Sequence, residues 1–169
     1  MILEAHSDFD IIFIQEPSWS FICSILCYDN NEENPLMGIV NHPNWLMFAR
    51  EPVSLNNLPR VAIFINIRLL SLHFSLHKDI INHRDILLLS FFNNCDIFWI
   101  MNAYSDSSHS TIKYLKDMEL NIRNRLIMTG DFNICDSLWN PSYNFHSSII
   151  DNLFVIVDSF NFFLSFPID

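Results

Sequence analysis

Three short polar clusters stand where apolar runs stop, and their side chains are the ones able to do chemistry. Gln15-Glu16, with Trp19 beyond Pro17, follows Asp10-Ile11-Ile12-Phe13-Ile14. Asn102-Ala103-Tyr104-Ser105-Asp106 follows Ile97-Phe98-Trp99-Ile100-Met101. Gly130-Asp131-Phe132-Asn133 follows Leu126-Ile127-Met128-Thr129. Carboxylates and amides at the ends of buried segments are costly to desolvate without a partner. A divalent cation is an economical partner, because Mg²⁺ takes one or two carboxylates, keeps several waters and binds phosphate oxygens. Asp131 and Asn133 are two apart, so on an extended segment both point the same way while Phe132 turns into the core. A carboxylate and an amide converging there can orient a water and hold a phosphoryl oxygen. Each cluster alone is also a common Asx-rich turn; three of them at three strand ends favour a site.

Other metal-type spacings carry less. Cys23 and Cys27 share a face only on a helix, and no second Cys or His pair stands at finger-like spacing, so they read as buried thiols of a reducing compartment. Four cysteines are too few and scattered for a disulfide framework. His73 and His77 have the same spacing, but Leu72, Phe74 and Leu76 alternate with polar residues as a strand or its edge does, which argues against a metal pair. Only 2 Gly are present, which excludes a glycine-rich phosphate loop.

The elements that must position the three clusters are strands. The run ending at Glu16-Pro17 is a buried strand closed by a breaker. Val61 to Ile67 is a second, introduced by Pro59. Ile86 to Phe92 and Ile97 to Tyr104 are two more, joined by Asn93-Asn94-Cys95-Asp96 as a hairpin turn. Leu126 to Thr129 is a brief strand running into Gly130. Residues 29–36 are a polar loop, and Gly38 to Phe48, containing His42-Pro43-Asn44-Trp45, is irregular because Pro43 restricts the residue before it. Two helices are expected. Ser110 to Met118 has Ser108 or Ser110 as cap and Ile112, Leu115 and Met118 on one face. Ser147 to Phe160 has Ile150, Leu153, Phe154 and Val157 on its buried side. This mixture is neither strictly alternating nor all-β, and it predicts a layered α/β sandwich with polar strand ends.

Composition bounds the reading. A chain of 169 residues fits one domain with a real core, and 50% hydrophobic residues with 16 Phe exclude intrinsic disorder. Nine basic against 19 acidic residues give a formal charge of -10, which argues against nucleic-acid affinity from a broad basic face. It leaves open a site that meets phosphates through bound cations. Glu4, Asp8 and Asp10 fall where a signal peptide needs basic and apolar regions, and no apolar run is long enough to cross a bilayer, so an intracellular location is the default.

Gln15-Glu16-Pro17-x-Trp19, then Asn102-x-Tyr104-x-Asp106, then Gly130-Asp131-Phe132-Asn133, in this order, resembles the endonuclease/exonuclease/phosphatase family. The Gln-Glu-Pro variant, His42-Pro43-Asn44-Trp45 and Trp139-Asn140-Pro141 look most like the endonuclease domains of fungal non-LTR retrotransposons, with the resemblance running from about Asp8 to Pro167. It implies a DNase I-like fold, a four-layer α/β sandwich with the active site at the rim between two sheets. It also implies that Glu16 coordinates the divalent metal, Mg²⁺ or Mn²⁺, and that Tyr104 contacts the phosphate. Asp131 would align the attacking water or protonate the leaving group, and Asn133 would support the phosphate and transition state. Asp106 lies close to where the family usually places an Asn.

Two departures shape the functional expectation. The family opens with a strand bearing an Asn of the metal site well upstream of the Glu, and closes with a late Asp and a Ser-Asp-His element. Here the chain starts at Met1, ends at Phe166-Pro167-Ile168-Asp169, and has its last histidine, His146, in another context. The expectation is therefore a partial domain over residues 1–169, incomplete at both ends. Its function is expected to be Mg²⁺-dependent hydrolysis of DNA phosphodiester bonds, impaired by truncation, within a parent polyprotein that carries a reverse transcriptase. The competing functions are an inactive remnant serving as an interaction module and a phosphatase of the same superfamily.

Overall fold

The structure, a computed structural model, describes residues 8–19, 22–25, 36–39, 42–50, 52, 58–69, 71–93, 96–118, 122, 125–138, 142–160 and 162. They fall into two compact units: Met1–Tyr104 with Arg123–Gly130, and Ser105–Ile122 with Asp131–Asp169.

The first unit is built from strands. The ladder β1 (Ile11–Gln15), β5 (Val61–Asn66), β4 (Trp45–Phe48) is antiparallel, with β5 in the middle. All six β5 residues are buried, so its continuous apolar run is that of a strand covered on both faces. A separate hairpin pairs β2 (Ile22–Ile25) with β3 (Leu36–Ile39). A four-stranded sheet runs β6 (His73–Leu76), β7 (Ile86–Asn93), β8 (Asp96–Tyr104), β9 (Leu126–Asp131). The main core forms where the alternate residues Val61, Ile63 and Ile65, with Phe48, meet Leu87, Leu89, Ile100 and Tyr104 of the larger sheet. Each aliphatic side chain fully buried there contributes about 1.5–3 kcal/mol. The opposite residues of β5, Ala62 and Phe64, pack with Trp45, Met47, Ile12, Ile14 and Trp19.

Strand β9 lies beside β8. The amide of Trp99 donates to the carbonyl of Arg125 at 2.9 Å and that of Ser105 to Asp131 at 2.8 Å. Both bonds span the same sequence separation, which is a parallel pairing and requires a crossover connection. The first helix, α1 (Ser110–Asp117), lies in that connection. In the second unit α1 buries Thr111, Ile112 and Leu115 and packs with α2 (Ser148–Ser159), which buries Ile149, Ile150, Leu153, Ile156 and Val157. Lys116 Nζ donates to Asn152 Oδ1 at 2.7 Å across the pair. Among the described residues no helix is long and apolar enough to cross a membrane.

Several local expectations change. Trp45–Phe48 is a buried strand, not irregular chain, because Pro43 disturbs only the turn before it and Trp45 pairs with Asn66. Gly38 likewise sits within β3. Cys23 is on strand β2, so the shared helix face with Cys27 does not arise; Cys27 lies outside the described residues. Neither Ser108 nor Ser110 caps α1. The N-cap is His109, with φ 54° and no side-chain cap bond, while Asp106 Oδ1 draws the Ser108 amide at 3.0 Å and its hydroxyl at 2.5 Å into an Asx-turn. Phe154 is half-buried, and Ile149 and Ile156 complete the apolar face of α2. The β7–β8 hairpin has the expected register, Asn93 opposite Asp96, with turn residues 94 and 95 outside the described set. Most of the polar loop at 29–36, the stretch Trp139-Asn140-Pro141 and the C-terminal residues 163–169 also lie outside it.

Candidate active site

Antiparallel pairing gathers the first polar cluster and residues 102–104 of the second at one rim of the first unit. Gln15 sits opposite Val61, so β1 ends where β5 begins, and Ala103 sits opposite Ile86, so β8 ends where β7 begins. Gln15 Nε2 donates to Asn102 Oδ1 at 2.8 Å. Asn102 Nδ2 donates to the carbonyls of Ile14 at 3.0 Å and Ala62 at 2.9 Å. This amide is fully buried, and its donors and acceptor are all used. It ties the end of β8 to β1 and β5.

Glu16 leaves this rim with φ 50°, and its amide donates to the carbonyl of Arg60 at 2.7 Å. The left-handed backbone costs a non-glycine residue roughly 1–2 kcal/mol, and that bond helps to hold it. The carboxylate is exposed, with no hydrogen-bond or ion-pair partner among the described residues. The side chain of Arg60 turns to Asp85, Nε to Oδ1 at 3.0 Å and Nη2 to Oδ2 at 2.5 Å, while its guanidinium lies 4.6 Å from the centre of the Tyr104 ring. Asp85 is fully buried, also accepts from Arg84 Nε at 3.2 Å, and its carbonyl accepts the Tyr104 amide at 2.9 Å. Trp19 Nε1 donates to the Pro59 carbonyl at 2.9 Å, anchoring the segment after Pro17 to the one leading into β5. His83 Nδ1 lies 3.2 Å from the Asp85 amide that donates to it. Burial pushes the His83 pKa below the usual 6.5; Asp85 opposes this, and Arg84, Arg50 and Arg60 reinforce it. Arg60 and Asp85 were not singled out from sequence. The available signal was a charged residue immediately before each of two apolar strands.

The third cluster, apart from Gly130, lies in the second unit, where Asp131 and Asn133 come together with Ser105. The Ser105 amide donates to the Asp131 carbonyl, and Asn133 Nδ2 donates to the Ser105 carbonyl at 2.9 Å. The Asn133 amide donates to Asp131 Oδ1 at 3.0 Å, and Asn133 has φ 49°. The segment is therefore an Asx-turn, not the extended run expected, because Asn tolerates the left-handed region and Asp131 captures the amide two residues on. Both side chains are exposed, and Phe132 is half-buried. The second Asp131 oxygen has no partner among the described residues. Gly130 is required for steric reasons: a Cβ there would lie 2.1 Å from the Ala103 carbonyl oxygen of β8.

Further along the second unit, His146 joins two carboxylates. Its Nδ1 is 3.2 Å from Asp136 and its Nε2 is 3.0 Å from Asp151. Asp136 is buried and also accepts the amides of Leu138 at 2.8 Å and Ser147 at 2.6 Å. Burial pushes its pKa up, but the two amide bonds and the imidazole outweigh that and hold it below the usual 3.8. The bond to Asp151 raises His146 above 6.5, against some desolvation, and the two negative charges add to it. The group fastens the segment after β9 to the start of α2. Among the described residues no cluster of three or more His, Cys, Asp or Glu side chains is placed to hold a metal ion. Glu16 is a lone exposed carboxylate, and an Mg²⁺ ion held by it would draw its remaining ligands from waters and substrate phosphate oxygens.

Comparison of the sequence with protein-family models and with curated proteins finds no match. Among solved structures, the chain is similar to the endonuclease domain of TRAS1, a telomere-specific non-LTR retrotransposon. The match has a TM-score of 0.65 at 15% sequence identity, covers 94% of this chain, and spans 63% of the length of that structure. The fold expected from the sequence, DNase I-like α/β, is the fold observed.

Proposed function

We propose that this chain is a metal-dependent phosphodiesterase domain that cuts DNA, derived from a non-LTR retrotransposon. The observation that supports the reading most is the rim of the first unit. There Glu16 presents a carboxylate with no partner among the described residues, and its neighbour across the strand end, Arg60, also contacts Tyr104. The likeness to a retrotransposon endonuclease over 94% of the chain supports it further. In this reading Glu16 holds Mg²⁺ or Mn²⁺. The bound cation would supply Lewis-acid and charge-clamping chemistry to a phosphate oxygen. Tyr104 contacts the phosphate and helps to orient it. Asp131, fixed in its turn by Asn133 and Ser105, aligns the attacking water or protonates the leaving oxygen. Asn133 supports the developing charge. A formal charge of -10 gives little general affinity for DNA, so a basic segment of a parent polyprotein, with its reverse transcriptase, would supply the rest.

The same charge favours a second reading, a non-catalytic interaction module that retains the fold. One assay separates the two. The purified chain is incubated with supercoiled plasmid and Mg²⁺, beside an EDTA control and the variants Glu16→Gln and Asp131→Ala. Metal-dependent nicking above both variants supports the endonuclease. Equal signals from all four would leave the interaction module. Release of phosphate from small esters without nicking would point to a phosphatase.

A further inference from the structure

We infer that Arg60, oriented by Asp85, is a positioning residue that sets the ring of Tyr104 and the backbone of Glu16 together. The inference rests on the reading of Tyr104 and Glu16 given above, and it adds residues that no motif in the sequence marks. One residue touches both: the Arg60 carbonyl accepts the Glu16 amide, and its guanidinium lies 4.6 Å from the centre of the Tyr104 ring. A guanidinium on a flexible stem would not by itself hold a ring in place. Here its plane is fixed, because the Asp85 carboxylate grips both Nε and Nη2, the two-point geometry that gives an arginine–carboxylate pair its directionality. Asp85 is itself fully buried and bonded through its amide to His83. Its carbonyl accepts the Tyr104 amide. Ring and main chain of Tyr104 are thus both referred to one buried residue, and Glu16 is referred to the same pair through Arg60. A displacement of about 1 Å at a reacting group can cost 10²-fold in rate, so such a frame matters to the chemistry.

A simple staple between strand starts would explain the ion pair without any role toward Tyr104, and the experiment must separate the two. The chain contains 4 Tyr, so ring-labelled tyrosine gives a short spectrum in which Tyr104→Phe identifies one resonance. Arg60→Gln and Asp85→Asn should each move the Tyr104 ring resonance and leave those of Tyr114 and Tyr143 in place. Arg60→Lys keeps the charge but lacks the fork; it should give a smaller shift, and it supplies a folded comparison if Arg60→Gln is unstable. In the nicking assay Arg60→Gln should lower kcat about 10- to 100-fold with KM nearly unchanged. A Tyr104 resonance unmoved in a folded Arg60 variant, or a kcat equal to wild type, would overturn the inference. A wild-type chain that never nicks, while the resonance still moves, would instead overturn the endonuclease reading and leave the Arg60–Tyr104 coupling standing.

Discussion

The rim of the first unit and the segment after β9 in the second both present polar residues at strand ends, yet they are held by opposite means. At the rim the partners are distant in sequence: Gln15 with Asn102, Asn102 with Ala62, Arg60 with Asp85. Most of these groups are buried, and the bonds exist only because the strands pair in one register. In the second unit three carboxylates each cap an amide two residues on: Asp106 for Ser108, Asp131 for Asn133, Asp136 for Leu138. Those turns need no sheet to form. The difference teaches where damage spreads. Removing a rim group strands a buried partner and loosens both sheets, whereas removing an exposed turn carboxylate such as Asp131 frees one amide to water.

The largest effect expected from this contrast is at Asp85. Asp85→Ala would leave the Arg60 cation facing a buried apolar gap, and breaking one side of a buried pair costs about 3–5 kcal/mol. Denaturant unfolding of the variant beside wild type measures it; a loss under about 1 kcal/mol would mean that the pair is effectively solvated. Asn102→Ala comes next, at about 2–3 kcal/mol, because it strands the Gln15 amide and the carbonyls of Ile14 and Ala62. Asp131→Ala is the counterpart in the turn. Its stability should stay within about 0.5 kcal/mol of wild type, while nicking falls by about 10²–10⁴-fold if Asp131 is the acid or base. A global loss of stability in Asp131→Ala would erase the distinction between the two regions.

The same contrast explains what was legible in the sequence. Turn chemistry is local, so the cluster around Asp131 and the polar ends of β1 and β8 stand out where apolar runs stop at Gln15, Asn102 and Gly130. Arg60 and Asp85 are ordinary loop charges until Gln15 is set opposite Val61 and Ala103 opposite Ile86. Register is a property of pairs of strands, and a single strand does not display it. Strand β4 was hidden for a related reason. Pro43 signals a break, but the partner of Trp45 is Asn66, which nothing near residue 45 reveals. Local reasoning also failed where two local options compete. Ser108 is a good cap by type, yet Asp106 claims its hydroxyl and leaves His109 to begin α1. The two-residue spacing of Asp131 and Asn133 suits an extended segment, but the Asn type equally suits the left-handed turn that it adopts.

The smallest effect expected is in pH, and there the two regions should respond with opposite sign. His83 in the first unit titrates below 6.5 when folded, so the unfolded chain takes up its proton first. Stability from this group is complete above 6.5 and declines as pH falls through that value toward the folded pKa. His146 in the second unit titrates above 6.5 when folded. Its contribution is complete below 6.5 and is lost as pH rises through the folded pKa. Asp136 sets the lower edge of that window, since its contribution is lost as pH falls below 3.8 through its folded value. His146 is half exposed, so solvent screens the pair and the change is modest. Amide exchange resolves the regions where a global melt would average them. Protection in α2 should fall as pH rises above 6.5, and protection at the start of β7 should fall as pH drops below 6.5. His146→Gln should flatten the first trend and leave the second, and His83→Gln should do the reverse. Trends that survive both substitutions would place the titrating groups elsewhere. Trends that disappear together would show that the two regions open as one, contrary to the separation of local turn from long-range rim.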